Sequence, residues 1–74
     1  MKIYIKENLK YLRERNELSV LSLSKELEVN DTLIGKIENG VTSAPLITTV
    51  IKISNYFKVS LDQFVFEDLR NSKI

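Results

Sequence analysis

Few residues here could do chemistry. The chain of 74 residues has neither histidine nor cysteine, which removes the commonest general base together with thiol nucleophiles, thiolate ligands and disulfides. Carboxylates, lysines and hydroxyls remain. The carboxylates Glu26, Glu28 and Asp31, close in sequence, sit where solvated helix surfaces and caps account for them. No metal-ligand spacing and no phosphate-cradling glycine loop occurs. We therefore expect no catalytic residue, no metal, no cofactor and no enzymatic activity. The polar groups that matter lie in "VNDTLIGKIENG", residues 29–40, where Thr32 and Lys36 are four apart. On a helix that spacing directs both side chains the same way.

Those groups need a scaffold, and the length allows one small domain, 1–74, with one modest core. Eleven basic residues against ten acidic give a net charge of +1. That is low for a protein coating nucleic acid without selectivity, although it leaves room for a specific reader. No apolar run approaches the ~20 residues needed to span a bilayer, and "MKIYIKENLK" is too charged for a secretory signal. The expected setting is cytoplasmic, with no membrane partner.

Hydrophobic spacing predicts helices throughout. Residues 6–16 place Leu9 and Leu12 on one face with Ile5 a turn before, leaving Lys6, Lys10, Glu14 and Arg15 on the solvated side. Ser19 is a natural N-cap for a second helix carrying Leu23 and Leu27, flanked by Val20 and Leu21. Asn30 can cap a third, with Leu33, Ile34 and Ile37 buried and Asn39-Gly40 as the stop. Only Glu28 and Val29 separate the second helix from that cap, which forces a sharp crossing, a helix-turn-helix over about 19–39. Pro45 suits the first position of a fourth helix, whose inward stripe is read as Ile47, Val50, Ile51, Ser54 and Phe57, with Ile53 beside it. This broad apolar surface makes the fourth helix the expected centre of the core. "SLDQ", Ser60 to Gln63, is a capping box opening a fifth.

The ends alternate. "KIYI" and "FVF" are β-branched or aromatic runs that can pair as a small antiparallel ribbon. Alternatively the N-terminus frays and Phe64 to Phe66 complete the fifth helix. The tail 70–74 is expected to be mobile.

The stretches "LKYLRERNELS", "LSKELEVN", "IGKIENG", "PLITTVIKIS" and "FKVSLDQF", in that order and spacing, resemble the Cro/CI-type helix-turn-helix family, also called the xenobiotic-response-element type. The resemblance runs from about Asn8 to Phe64. It implies an all-α, five-helix, lambda-repressor-like domain whose third helix enters the major groove of double-stranded DNA. By position it assigns base contacts to Asp31, Thr32 and Lys36. Phosphate contacts would fall to Arg13, Ser19, Ser22, Asn39, Thr42 and Ser43. In the family an arginine of the first helix pairs with the glutamate before the final Asn-Gly, and Arg13 and Glu38 hold those places. Arg13 then either reaches a phosphate as well or serves the scaffold alone. A dimer surface is expected around Tyr4, Leu61 and Val65, unless Leu61 is buried within the monomer.

Several positions depart from the family pattern. Val20 stands where a DNA-contacting glutamine is frequent, while Glu28 and Lys58 occupy positions where glycine is common. A left-handed conformation there would cost about 1 kcal/mol each. Gly35 replaces a small serine or alanine, either to approach the sugar-phosphate wall closely or merely as a tolerated residue. The loop "GVTSAP" carries no cation, so residues 31–45 hold only Asp31, Lys36 and Glu38, a net −1. Weak affinity per monomer follows, with a shallow salt slope on the order of 2 to 4 for a dimer. Asp31 can accept from cytosine N4, serve only the helix N-terminus, or repel phosphate. The expected function is a bacterial or phage transcription regulator, a repressor binding a short palindrome as a homodimer. The alternative is a protein-binding module, anti-repressor or antitoxin-like, that keeps the fold and has lost DNA.

Overall fold

The computed structural model describes residues 2–42 and 44–71. Five helices follow one another: α1 (Ile5–Arg15), α2 (Val20–Leu27), α3 (Leu33–Glu38), α4 (Ile47–Tyr56) and α5 (Leu61–Phe66), with a final 3-10 turn at Leu69–Asn71. No strand occurs among the described residues. The ribbon is therefore corrected: Ile5 already begins α1 and Phe64–Phe66 end α5. One backbone hydrogen bond, Tyr4 N–H to the Val65 carbonyl at 2.8 Å, is what joins the two segments. Phe64 N–H bonds to the Ser60 carbonyl within the helix and the Phe64 carbonyl accepts from Asn8 Nδ2, and the β-propensity of "FVF" loses to this arrangement.

Local side-chain caps set the starts of α2 and α5. Ser19 Oγ accepts from Ser22 N–H at 3.0 Å, and Ser60 and Gln63 form the reciprocal capping box. Asn30 Oδ1 accepts from both the backbone N–H and the hydroxyl of Thr32, at 2.9 and 2.8 Å. It caps a tight turn, and α3 proper starts only at Leu33. Pro45 lies two residues before α4 rather than at its first position.

Four helix ends share one device. After α1, α2, α3 and α4, a left-handed residue lets the next N–H reach back to the last turn: Leu18 to Arg13, Val29 to Ser24, Val41 to Lys36 and Val59 to Ser54. This is the Schellman arrangement, which favours glycine at the left-handed position. Only Gly40 (φ +78°) supplies one; Glu17, Glu28 and Lys58 have φ of 57°, 55° and 58°. The strain anticipated at Glu28 and Lys58 is present, and Glu17 adds a third site. Glu28→Gly and Lys58→Gly should each stabilise the fold by about 0.5–1 kcal/mol, whereas Glu28→Ala should not. Urea midpoints compared across the three variants check this, and equal midpoints for Gly and Ala would refute the strain.

Leu9, Leu12, Leu23, Leu27, Ile34, Ile37, Val50, Ile53, Phe64 and Leu69 form one core. Its centre is α1, which packs on α3, α5 and the final turn, while α4 packs on α2 and α5. The α4 stripe is rotated from expectation: Thr49, Val50, Ile53 and Ser54 point inward, and Ile47 and Ile51 point out. With apolar residues on several sides of the helix, its neighbours rather than its periodicity choose the buried face. Leu21 is likewise half exposed. Leu69 is buried, and Arg70 and Asn71 close a turn on the Asp68 carboxylate. Of the tail 70–74, residues 72–74 lie outside the described residues. Asp68, facing Arg70, is held below the usual carboxylate range by the hydrogen bonds from that guanidinium.

Candidate nucleic-acid interface

The third helix is short, six residues, and cannot hold itself in place. Ile34 and Ile37 anchor it in the core. Arg13 clamps it from outside: Nε donates to Glu38 Oε2 at 2.7 Å and Nη2 to Oε1 at 3.0 Å, while Nη1 donates to the Leu18 carbonyl at 2.8 Å. The expected ion pair therefore forms and is largely enclosed, with side chains 14% and 7% exposed. The hydrogen bonds to Glu38 raise the Arg13 pKa, so the guanidinium stays charged. One guanidinium thus spans α1, α3 and the α1–α2 turn.

With its inner side fixed, α3 presents an exposed face bearing Asp31, Thr32, Lys36 and Asn39. Thr32 Oγ1 spends its proton on Asn30, leaving lone pairs that accept from a partner. Asp31 and Lys36 are exposed at the start and one turn further on. Beside them, at the N-terminus of α2, Ser19 Oγ donates to Ser22 Oγ at 2.9 Å while accepting from Ser22 N–H. Ser22 thus keeps its own hydroxyl proton for an outside acceptor. Thr42 is half-buried, its N–H bonded to the Lys36 carbonyl at 3.1 Å. Ser43 lies outside the described residues. Val20, in the frequent glutamine position, packs against the core instead.

The charge count changes in three dimensions. Glu38 faces Arg13 rather than solvent, so the net −1 assigned to this stretch overstates its negative charge. Asp31 and Lys36 are the exposed charges that remain. A Cβ added to Gly35 meets nothing within 4 Å, so packing inside the protein does not require glycine there.

The other expected surface also has a definite position. The Tyr4–Val65 backbone bond brings those residues together, and Leu61 lies one turn before Val65 on α5. Leu61 is 37% exposed, so it is not consumed by the monomer core. Ile3 and Phe66 are exposed as well.

Asn8 was missed by the sequence reading. Fully buried, it donates from Nδ2 to the carbonyls of Phe64 and Glu67 at 2.7 and 2.6 Å, and Oδ1 accepts from Leu69 N–H at 3.0 Å. The signal was available: Ile5, Asn8, Leu9 and Leu12 follow the i, i+3, i+4, i+7 pattern of an inward stripe. A polar group at such a position requires partners.

No helix among the described residues is long and apolar enough to cross a membrane. Comparison with curated proteins and with solved structures yields no match. Residues 9–64, which hold all of α2, α3 and α4 and their crossing, match the helix-turn-helix family model. The capped turn, the clamped α3 and this match over most of the chain agree: the protein belongs to the Cro/CI-type helix-turn-helix family of DNA-binding transcription regulators.

Proposed function

We propose that the protein is a sequence-specific repressor that occupies a short palindromic operator as a homodimer. The observation carrying this reading is the exposed polar face of α3, set against a core anchored by Ile34 and Ile37 and a clamp from Arg13. In it, Thr32 and Lys36 read bases, and Asp31 accepts from cytosine N4, an acid–base-edge pairing the major groove permits. Ser22, Asn39, Thr42 and Ser43 position the duplex through phosphate, with Ser19 ordering Ser22 and Arg13 orienting α3. Two-fold symmetry sets half-sites about one helical turn, ~34 Å, apart. A protomer with extents of 28 × 24 × 19 Å fits that spacing beside a second copy, with Tyr4, Leu61 and Val65 as the contact between them.

Selection of bound sequences from random DNA tests the reading, and enrichment of one palindrome is the expected result. Lys36→Ala should then weaken binding to that site about tenfold, while Lys52→Ala, on α4 in the groove with Glu26 and Tyr56, should leave it unchanged. Equal losses for the two variants would put the groove-facing surface elsewhere.

A second reading has its own observation. Val41 and Leu46 are 73% and 75% exposed, and Ile47 is 59% exposed, around a loop without cations. Apolar exposure of this kind also suits a protein partner, as in an anti-repressor or antitoxin-like module. Failure to retain any duplex at low salt would favour it.

A further inference from the structure

The α3–α4 loop has no cation of its own in "GVTSAP", but its neighbour in space does. Lys6 sits on the face of α1 that helical spacing assigns to plain solvent. In the fold its side chain passes over the end of α3: a Cβ placed on Gly40 would lie 3.7 Å from Lys6 Nζ and 3.9 Å from Cδ. We infer that Lys6 supplies the cationic phosphate contact that this loop lacks, acting beside Asn39 and Thr42 on the backbone of a bound duplex. The inference rests on the DNA-binding reading above and extends it to a residue far from the helix-turn-helix in sequence.

Three observations favour a phosphate over an internal partner. Lys6 is exposed and forms no ion pair among the described residues. Two carbonyls in the last turn of α3 are already occupied by the loop, Lys36 O by the N–H groups of Val41 and Thr42 and Ile37 O by that of Gly40. The groove beside Lys6 also holds Glu7, Glu14 and Glu38. Arg13 neutralises Glu38 and Lys10 lines the same groove, while Arg70 is engaged with Asp68. Asp31 and Lys36 cancel on the exposed side of α3, so Lys6, lying over Gly40, is the cation added at the loop. Each lysine that neutralises a phosphate releases a counterion, so Lys6 must register in the salt dependence.

The test is a titration of a fluorescent mixed-sequence duplex at several salt concentrations with wild type, Lys6→Met, Lys6→Arg, Lys36→Ala and Lys52→Ala. Lys52 lies in the groove between α2 and α4 with Glu26 and Tyr56, so its loss changes the net charge equally at a distant place. Lys6→Met should flatten the plot of log K against log salt by about one per protomer, Lys6→Arg should restore it, and Lys52→Ala should leave it near wild type. Equal slopes for Lys6→Met and Lys52→Ala would overturn the assignment. So would lower thermal stability of Lys6→Met with an unchanged slope, which would make Lys6 a counter-ion for the end of α3. Binding by wild type that Lys36→Ala weakens but Lys6→Met does not would remove Lys6 alone; no binding by wild type would remove the DNA reading itself, and this inference with it.

Discussion

Asn8→Ala should destabilise the protein by about 3 kcal/mol and lower Tm by more than ~10 °C. The amide closes the C-terminal third of the fold onto α1 through three hydrogen bonds, to Phe64, Glu67 and Leu69. Alanine would leave the Phe64 and Glu67 carbonyls and the Leu69 N–H without these partners in and beside the core. Each such group costs about 1–3 kcal/mol when water cannot reach it. A domain of this size holds only on the order of 5–10 kcal/mol in total, so the loss is a large share. Asn8→Asp separates hydrogen bonding from volume, because a carboxylate oxygen would then face two carbonyl oxygens. It should cost at least as much as alanine near neutral pH. Chemical denaturation of both variants decides the matter: a loss under ~1 kcal/mol for alanine would show that water or neighbouring groups replace the amide.

The second large effect is expected at the clamp on α3. Arg13→Ala strands a Glu38 carboxylate whose side chain is 7% exposed, and it frees the Leu18 carbonyl. Breaking one side of a buried pair costs 3–5 kcal/mol in fully enclosed sites. Here the arginine retains some contact with solvent, so about 2–3 kcal/mol is the expected loss. The double variant Arg13→Ala/Glu38→Ala should lose less than the sum of the single variants, since no unpaired charge is left behind. If the proposed interface is right, Arg13→Ala should also weaken binding to the selected operator even where the protein remains folded. Six residues of α3 would then be held by the apolar contacts of Leu33, Ile34 and Ile37. Strict additivity in the double variant would show that the two side chains do not depend on one another.

These two residues were not equally legible in the sequence. Arg13 and Glu38 were paired through the family resemblance, because their places in "YLRERN" and "KIENG" match its pattern. Asn8 matched no motif and was hidden in a charged stretch. Its meaning comes from partners 56 to 61 positions away, beyond the reach of any local rule.

What the sequence determined by itself is what depends on a few consecutive residues. The caps at Ser19 and Ser60, the tight turn closed by Asn30, the stop at Gly40, and the apolar spacing of α1, α2 and α3 all arise within one or two helical turns. Those energies are local and survive any arrangement of the helices. Tertiary structure decided which face of α4 is buried, that "FVF" stays helical, that Glu38 points inward, and that Lys6 lies over Gly40. Each of these joins segments distant along the chain. A broad apolar helix or a long lysine has several acceptable local states, and only the surface packed against it selects one.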